Sequence, residues 1–150
     1  MIVWGQHVAD FVAKEIPGCG RGFGECKAMG FVVNGKLVAG VVYHNWNPES
    51  GVIELSAASL TREWLNKDRL AAIFDYPFSF CRMVLTRQSE HNRRALRIWR
   101  SLGGKEYRIP DLRGPGEAEV IFTLSADDWR AGKFKGIADG KTVSANTARP

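Results

Sequence analysis

The chain has 150 residues, 45% of them hydrophobic and 25% charged, with a formal net charge of +5. A chain of that length buries roughly 68–70% of its extended surface on folding, which excludes neither a real core nor an enzyme but does exclude a disordered polymer. No apolar run reaches the roughly 18 residues of a membrane span, and the start MIVWGQHVADF lacks a basic segment leading into an apolar one, so a cytoplasmic protein without membrane contact is expected.

GQHVADFVAKEIPG spaces Val8, Phe11, Val12 and Ile16 along one helical face and stops at Pro17-Gly18, which predicts a first helix. GCGRGFGE, residues 18 to 25, follows as a flexible or lid-like connection. It holds no GxxxxGK[ST] and leads into a strand pattern, so it does not read as a phosphate cradle. AMGFVVNGKLVAGVVYHNW carries two β-rich runs joined by Asn34-Gly35, the pair that suits a type I′ turn, and predicts a hairpin. After NPESG, GVIELSAAS reads as a third strand of an antiparallel meander.

From residue 60 the period changes. Asn66 can cap a helix KDRLAAIFDYPF with Leu70, Ile73 and Phe74 on one face and Pro77 ending the regular pattern. CRMVLT predicts a short buried strand and HNRRALRIWRSLGG a second long helix, and EYRI and AEVIFTLS predict two closing strands around PDLRGPGE. Alternation of strand and helix here implies local parallel pairing. The tail GKFKGIADGKTVSANTARP, residues 132 to 150, is small, polar and basic without apolar periodicity. It predicts a disordered or loosely docked extension of a single domain at residues 1–131.

Cys19, Cys26 and Cys81 are an odd set without CxxC spacing, so reduced thiols are expected, and neither disulfides nor a metal site. The positive charge favours an anionic partner, either nucleic acid or a phosphorylated cofactor. In the helix after Asn92, Ala95, Trp99 and Leu102 share one face, while Arg93, Arg97 and Arg100 share the other with Arg94 beside them. Such a face can be merely solvated, or it can meet phosphates.

Asn92, Ala95 and the closing SLGG resemble the signature N-x-x-A-x-x-x-Y-x-x-x-G-F of the GNAT superfamily of acyl-CoA-dependent N-acetyltransferases, and the order of elements over residues 6 to 125 is similar. More narrowly, GVVYHNWNP, WLNKDRLAAIFDYPF and the signature helix resemble small GNAT-like proteins of phages and prophages. The resemblance implies an α/β (α+β) fold with a mixed six- or seven-stranded sheet, antiparallel in its first half, and helices on both faces. It also implies acetyl-CoA as co-substrate, no metal, and direct attack by a primary amine in a ternary complex. The chain departs from the family pattern at three places. Trp99 stands where a tyrosine often serves as general acid, Gly104 replaces a phenylalanine, and REWLNK has Leu65 and Lys67 where the pyrophosphate loop has glycines.

By that resemblance the cofactor would lie against Leu55, Ser56 and Ala57 of the third strand, Arg62, Leu65, Asn66, Lys67 and Asp68 of the following loop, and Asn92, Ala95 and Trp99. Even without glycines, a helix starting near Lys67 offers free N–H groups and a positive dipole end, with Arg62, Lys67 and Arg69 adding charge. A lysine-type amine with a pKa near 10.4 must shed a proton before attack. Glu54, the only acid of GVIELSAAS and on the face of Val52 and Ser56, is the leading base. His44 could relay a proton, Tyr43 could join the chemistry, and Tyr43 and Trp46 could shape an acceptor pocket. Ser101 and Tyr107 are stand-ins for the missing acid. The acceptor would be a small-molecule or peptide amine. The alternatives are a phage-type enzyme or binding module acting on nucleic acid, and a degenerate GNAT scaffold without catalysis; a homodimer is compatible with each.

Overall fold

The protein is described here by a computed structural model covering residues 1–132; the predicted tail lies, from residue 133 on, outside the described residues. The strands are β1 Ile2–Trp4, β2 Cys26–Val33, β3 Lys36–Asn47, β4 Val52–Ser59, β5 Met83–Ser89, β6 Lys105–Ile109 and β7 Glu119–Ser125. The helices are α1 Gln6–Glu15, α2 Lys67–Phe78, α3 Arg93–Ser101 and α4 Ala126–Ala131. The strands form one sheet in the order β1-β2-β3-β4-β5-β7-β6, in which only β4 and β5 run parallel. Asn34 and Gly35 both have positive φ in the β2–β3 turn, as the hairpin expectation requires. Among the described residues no helix is long and apolar enough to cross a membrane.

Alternation along the strands sends two sets of side chains to opposite faces. On the first face α1 packs Val8, Ala9 and Val12 against Ala28 and Val42. Close approach is possible because Gly30 and Gly40 pair across β2 and β3 directly beneath it. A methyl on Gly40 would fall 2.8 Å from both Val8 and Val12 side chains, and one on Gly30 would fall 2.7 Å from Val8. On the second face Leu70, Ile73, Phe74 and Phe78 of α2 meet Met29, Phe31, Val41, Ile53, Leu55 and Val84, with Trp129 of α4 closing one end. α3 adds Leu96 and Trp99 against Val120 and Phe122.

Three details depart from the sequence expectations. β1 and α4 carry too few residues to show a period, and they form because β1 pairs with β2 and Ser125 caps α4. Along α3 the fully buried residue is Leu96, with Ala95 and Trp99 only half-buried. Pro77 does not end α2, which continues to Phe78. A proline lacks the N–H that would bond the carbonyl four residues back, here that of Ile73. That carbonyl instead accepts from the Tyr43 hydroxyl at 2.6 Å, in the buried core.

Tyr43→Phe therefore orphans a buried carbonyl, and we expect it to lower the unfolding free energy by about 1–3 kcal/mol in urea titrations. In a Pro77→Ala background, where a backbone N–H is restored, the same change should cost less.

Candidate active site

β4 and β5 pair over Val52↔Met83, Ile53↔Val84, Glu54↔Leu85 and Leu55↔Thr86, and there the ladder ends. Beyond it β4 stays paired to β3 as far as Ser59, and β5 stays paired to β7 as far as Ser89. Each strand is thus anchored on its outer side while the two diverge, opening a wedge in the middle of the sheet. Ala57, an apolar residue on an interior strand, is exposed there.

The mouth of the wedge is cationic. From the first turn of α3, Arg94 reaches across it, donating from Nη1 to Ser59 Oγ and from Nη2 to the carbonyl of Arg62, both at 3.3 Å. Its Nε is shielded without a hydrogen-bond partner. Burial, and then the neighbouring Arg62, hold the Arg94 guanidinium below the usual arginine range, with Glu63 acting in the opposite sense. An arginine stays charged regardless, so a half-buried cation is held beside the exposed Arg62, with Glu63 also in its field. Two helix amino termini also start here: Asn66 caps α2 by accepting from Arg69 N at 2.9 Å, and Asn92 caps α3 by accepting from Ala95 N at 3.2 Å.

At the apex, on the face that carries α1, a second polar group assembles. His44 and Glu54 are register partners on β3 and β4. His44 Nε2 lies 2.9 Å from Ser56 Oγ and 3.8 Å from Glu54 Oε2. Asn45 Nδ2 donates to Glu54 Oε1 at 3.0 Å, and Arg87 Nε stands 3.7 Å from the same oxygen. Arg87 reaches on to Glu119, which Arg113 holds at 3.0 Å. The His44 ring is buried against Phe23, with ring centroids 4.8 Å apart. Burial lowers its pKa and Glu54 partly offsets that, so the ring is neutral at pH 7 and has a lone pair to offer.

The structure brings Glu54, His44 and Ser56 together and sets Tyr43 apart. Tyr43 precedes His44 on the same strand, so its side chain points to the other face, where it is 1% exposed and held by the Ile73 carbonyl. It is removed from both the catalytic and the acceptor sets, and burial pushes its hydroxyl pKa up. Trp46 lies beyond a bulge at the opposite end of β4 from the wedge, edge-to-face with Phe80. Leu65, like Trp64, turns into the core, so only its backbone could meet a ligand. Asp68 is exposed in the first turn of α2, where its charge suits the helix dipole and opposes an anion. Lys67 opens α2, and Arg62 is exposed at the mouth. Arg69 is engaged elsewhere, donating to the Trp64 carbonyl and lying over the Phe31 ring. Leu55 is buried, and Ser56 and Ala57 begin the unpaired stretch. Trp99 packs between Phe74 and Phe122. Of the stand-in acids, Ser101 already donates to the Ile98 carbonyl at 2.7 Å and Tyr107 sits on the edge strand β6. Sequence reasoning missed Arg94, Arg87 and Asn45. Arg94 had looked like part of a solvated face; since Glu106 also clamps Arg100 at 2.7 and 2.8 Å, that face displays chiefly Arg93 and Arg97.

Among the described residues the sheet is open and mixed, parted at its one parallel pair, with arginines at the mouth and an imidazole beside a carboxylate at the apex. No protein-family model matches the sequence, and no curated protein matches it. By structure it is similar to a Desulfovibrio desulfuricans protein placed in the GNAT family of acetyltransferases, with a TM-score of 0.59 at 12% identity over 83% of this chain and 99% of that one. It is similar as well to the spermidine N-acetyltransferase of Vibrio cholerae in complex with CoA and spermine, with a TM-score of 0.60 at 10% identity over 71% and 69%. A third structure, assigned as an acetyltransferase, aligns at a TM-score of 0.58 and 15% identity over 68% of this chain, which spans only 62% of that one. The fold is the GNAT fold.

Because burial holds the folded-state pKa of His44 below its ordinary 6.5, the unfolded chain takes up that proton first as the pH falls. The contribution of His44 to stability is therefore constant above about pH 6.5 and declines below it. Unfolding free energies at about pH 7.5 and 5.5 should differ less in His44→Gln than in the wild type.

Proposed function

We propose that the chain binds acetyl-CoA in the wedge and transfers its acetyl group to a primary amine. One observation carries this reading: two guanidinium groups and two helix amino termini converge on the mouth of a strand wedge whose apex holds a neutral histidine and a carboxylate. A half-buried guanidinium beside a second, exposed one at two helix amino termini suits an anion, and a pyrophosphate would serve. The CoA-bound spermidine acetyltransferase of the same fold supports that choice. Acetyl-CoA supplies the activated acyl group.

The chain's own residues do the rest. Arg62, Lys67 and Arg94 with the α2 amino terminus hold the phosphates, replacing the close backbone approach that glycines give elsewhere. Backbone of β4 at Ser56 and Ala57, paired to β3 but without a β5 partner, aligns the pantetheine arm and polarises the acyl carbonyl. Glu54 and His44 take the proton from the incoming amine; Asn45 and Arg87 keep the Glu54 carboxylate turned toward the ring. Positioning of the amine beside the carbonyl can supply about 7–11 kcal/mol in favourable cases. Trp99 has no titrating proton to offer, so the leaving thiolate is protonated from water. The mixed charge around Glu54, where Arg87 and Arg113 alternate with Glu119, favours small amines that are not polycations.

Calorimetric titration with acetyl-CoA should show one saturable site, weakened about tenfold, or ~1.4 kcal/mol, by Arg62→Ala and by Lys67→Ala. With an amine acceptor, Glu54→Gln should lower kcat by about a hundredfold. An absence of binding at millimolar acetyl-CoA would sink the reading.

A further inference from the structure

Ser56 carries chemistry that amine acetylation does not require. It is the first residue of β4 past the last β5 pair, so its hydroxyl stands where the wedge begins to open. Oγ lies 2.9 Å from His44 Nε2. Glu54 Oε2 lies 3.8 Å from that nitrogen, while Arg87 contacts the other carboxylate oxygen, Oε1. Phe23 packs against the imidazole with the two rings tilted by 52°. A hydroxyl hydrogen-bonded to a neutral imidazole, with a carboxylate placed to stabilise the imidazolium, is the general arrangement of an activated oxygen nucleophile. The geometry differs from a serine-histidine-acid relay in that one nitrogen serves both partners, so the carboxylate acts on the charge and not on the tautomer.

We propose that Ser56 is an acyl acceptor, and that without an amine the protein hydrolyses acetyl-CoA slowly through an acetyl ester on this serine. The proposal rests on the reading that acetyl-CoA occupies the wedge. In the first step the Ser56 proton passes to His44 Nε2 as Oγ bonds to the acetyl carbonyl carbon. The carbon–sulfur bond breaks, and the CoA thiolate leaves with the electron pair and takes the proton from His44. In the second step His44 accepts a proton from water as the hydroxide oxygen bonds to the ester carbon. The carbon–Oγ bond then breaks and Ser56 recovers its proton from His44. The sum is acetyl-CoA and water giving acetate and CoA. An amine arriving at the same carbon competes with Ser56, so acceptor should suppress the hydrolysis.

The test incubates the full 150-residue chain with acetyl-CoA alone, follows free thiol release, and maps acetyl groups by peptide mass spectrometry after acid quench. We expect steady thiol release, an acetyl group on the Ser56 peptide, and loss of at least about a hundredfold in rate in His44→Gln, the scale of general base catalysis. Ser56→Ala should lose both the label and the release, whereas Ser56→Cys should restore labelling at the same peptide. Thiol release that is as fast in Ser56→Ala as in the wild type, or labelling confined to lysines, would overturn the proposal. Calorimetry on the wild-type chain separates the two failures. Acetyl-CoA that binds without acetylating Ser56 overturns only this inference, and acetyl-CoA that does not bind overturns the acetyltransferase reading with it.

Discussion

The arrangement at the centre of the sheet depends on a ladder that stops. β4 and β5 pair over four residues and then diverge, because each is held more extensively by its outer neighbour than by the other. Backbone N–H and C=O groups along the gap lose their strand partners, which an ordinary sheet interior would not tolerate. The wedge is open, so those groups remain reachable by water or by a ligand able to hydrogen-bond like a strand. The only parallel pair of the sheet is thus where a ligand can be inserted without unfolding anything, a general property of strands that separate at their carboxyl ends.

The charges follow the same division. Several cations outside the wedge are matched: Arg100 by Glu106, Arg108 by Glu90, and Arg113 by Glu117 and Glu119. Exposed pairs of this kind add little to stability. They do cancel field locally, whereas at the mouth Arg62 and Arg94 lie close to one another with Glu63 beside them.

Features governed by neighbouring residues were legible in the sequence. Asn34-Gly35 announced its turn through the φ it permits, Asn66 announced the start of α2, and strand alternation set Glu54 and Ser56 on one face. The same alternation would have separated Tyr43 from His44, since adjacent strand residues point to opposite faces. Grouping them by chemistry obscured that. What could not be read was register. Arg87 meets Glu54 through a parallel pairing that joins segments more than thirty residues apart, and Arg94 turns inward because Ser59 and the Arg62 carbonyl happen to stand across the gap. Helical periodicity places an arginine on a face; it does not say what lies opposite.

The bond from Tyr43 to the Ile73 carbonyl has a mechanical meaning. α2 begins at the cationic mouth and, two turns later, is fastened to β3 at Tyr43, the residue next to His44. The helix is therefore a strut with one end at the mouth of the wedge and the other fastened next to the imidazole. Tyr43 and His44 project from opposite faces of β3, so one short stretch of strand carries both the anchor of α2 and the ring that meets Ser56. Positions at the mouth and at the apex are thereby fixed to one another through a single strand.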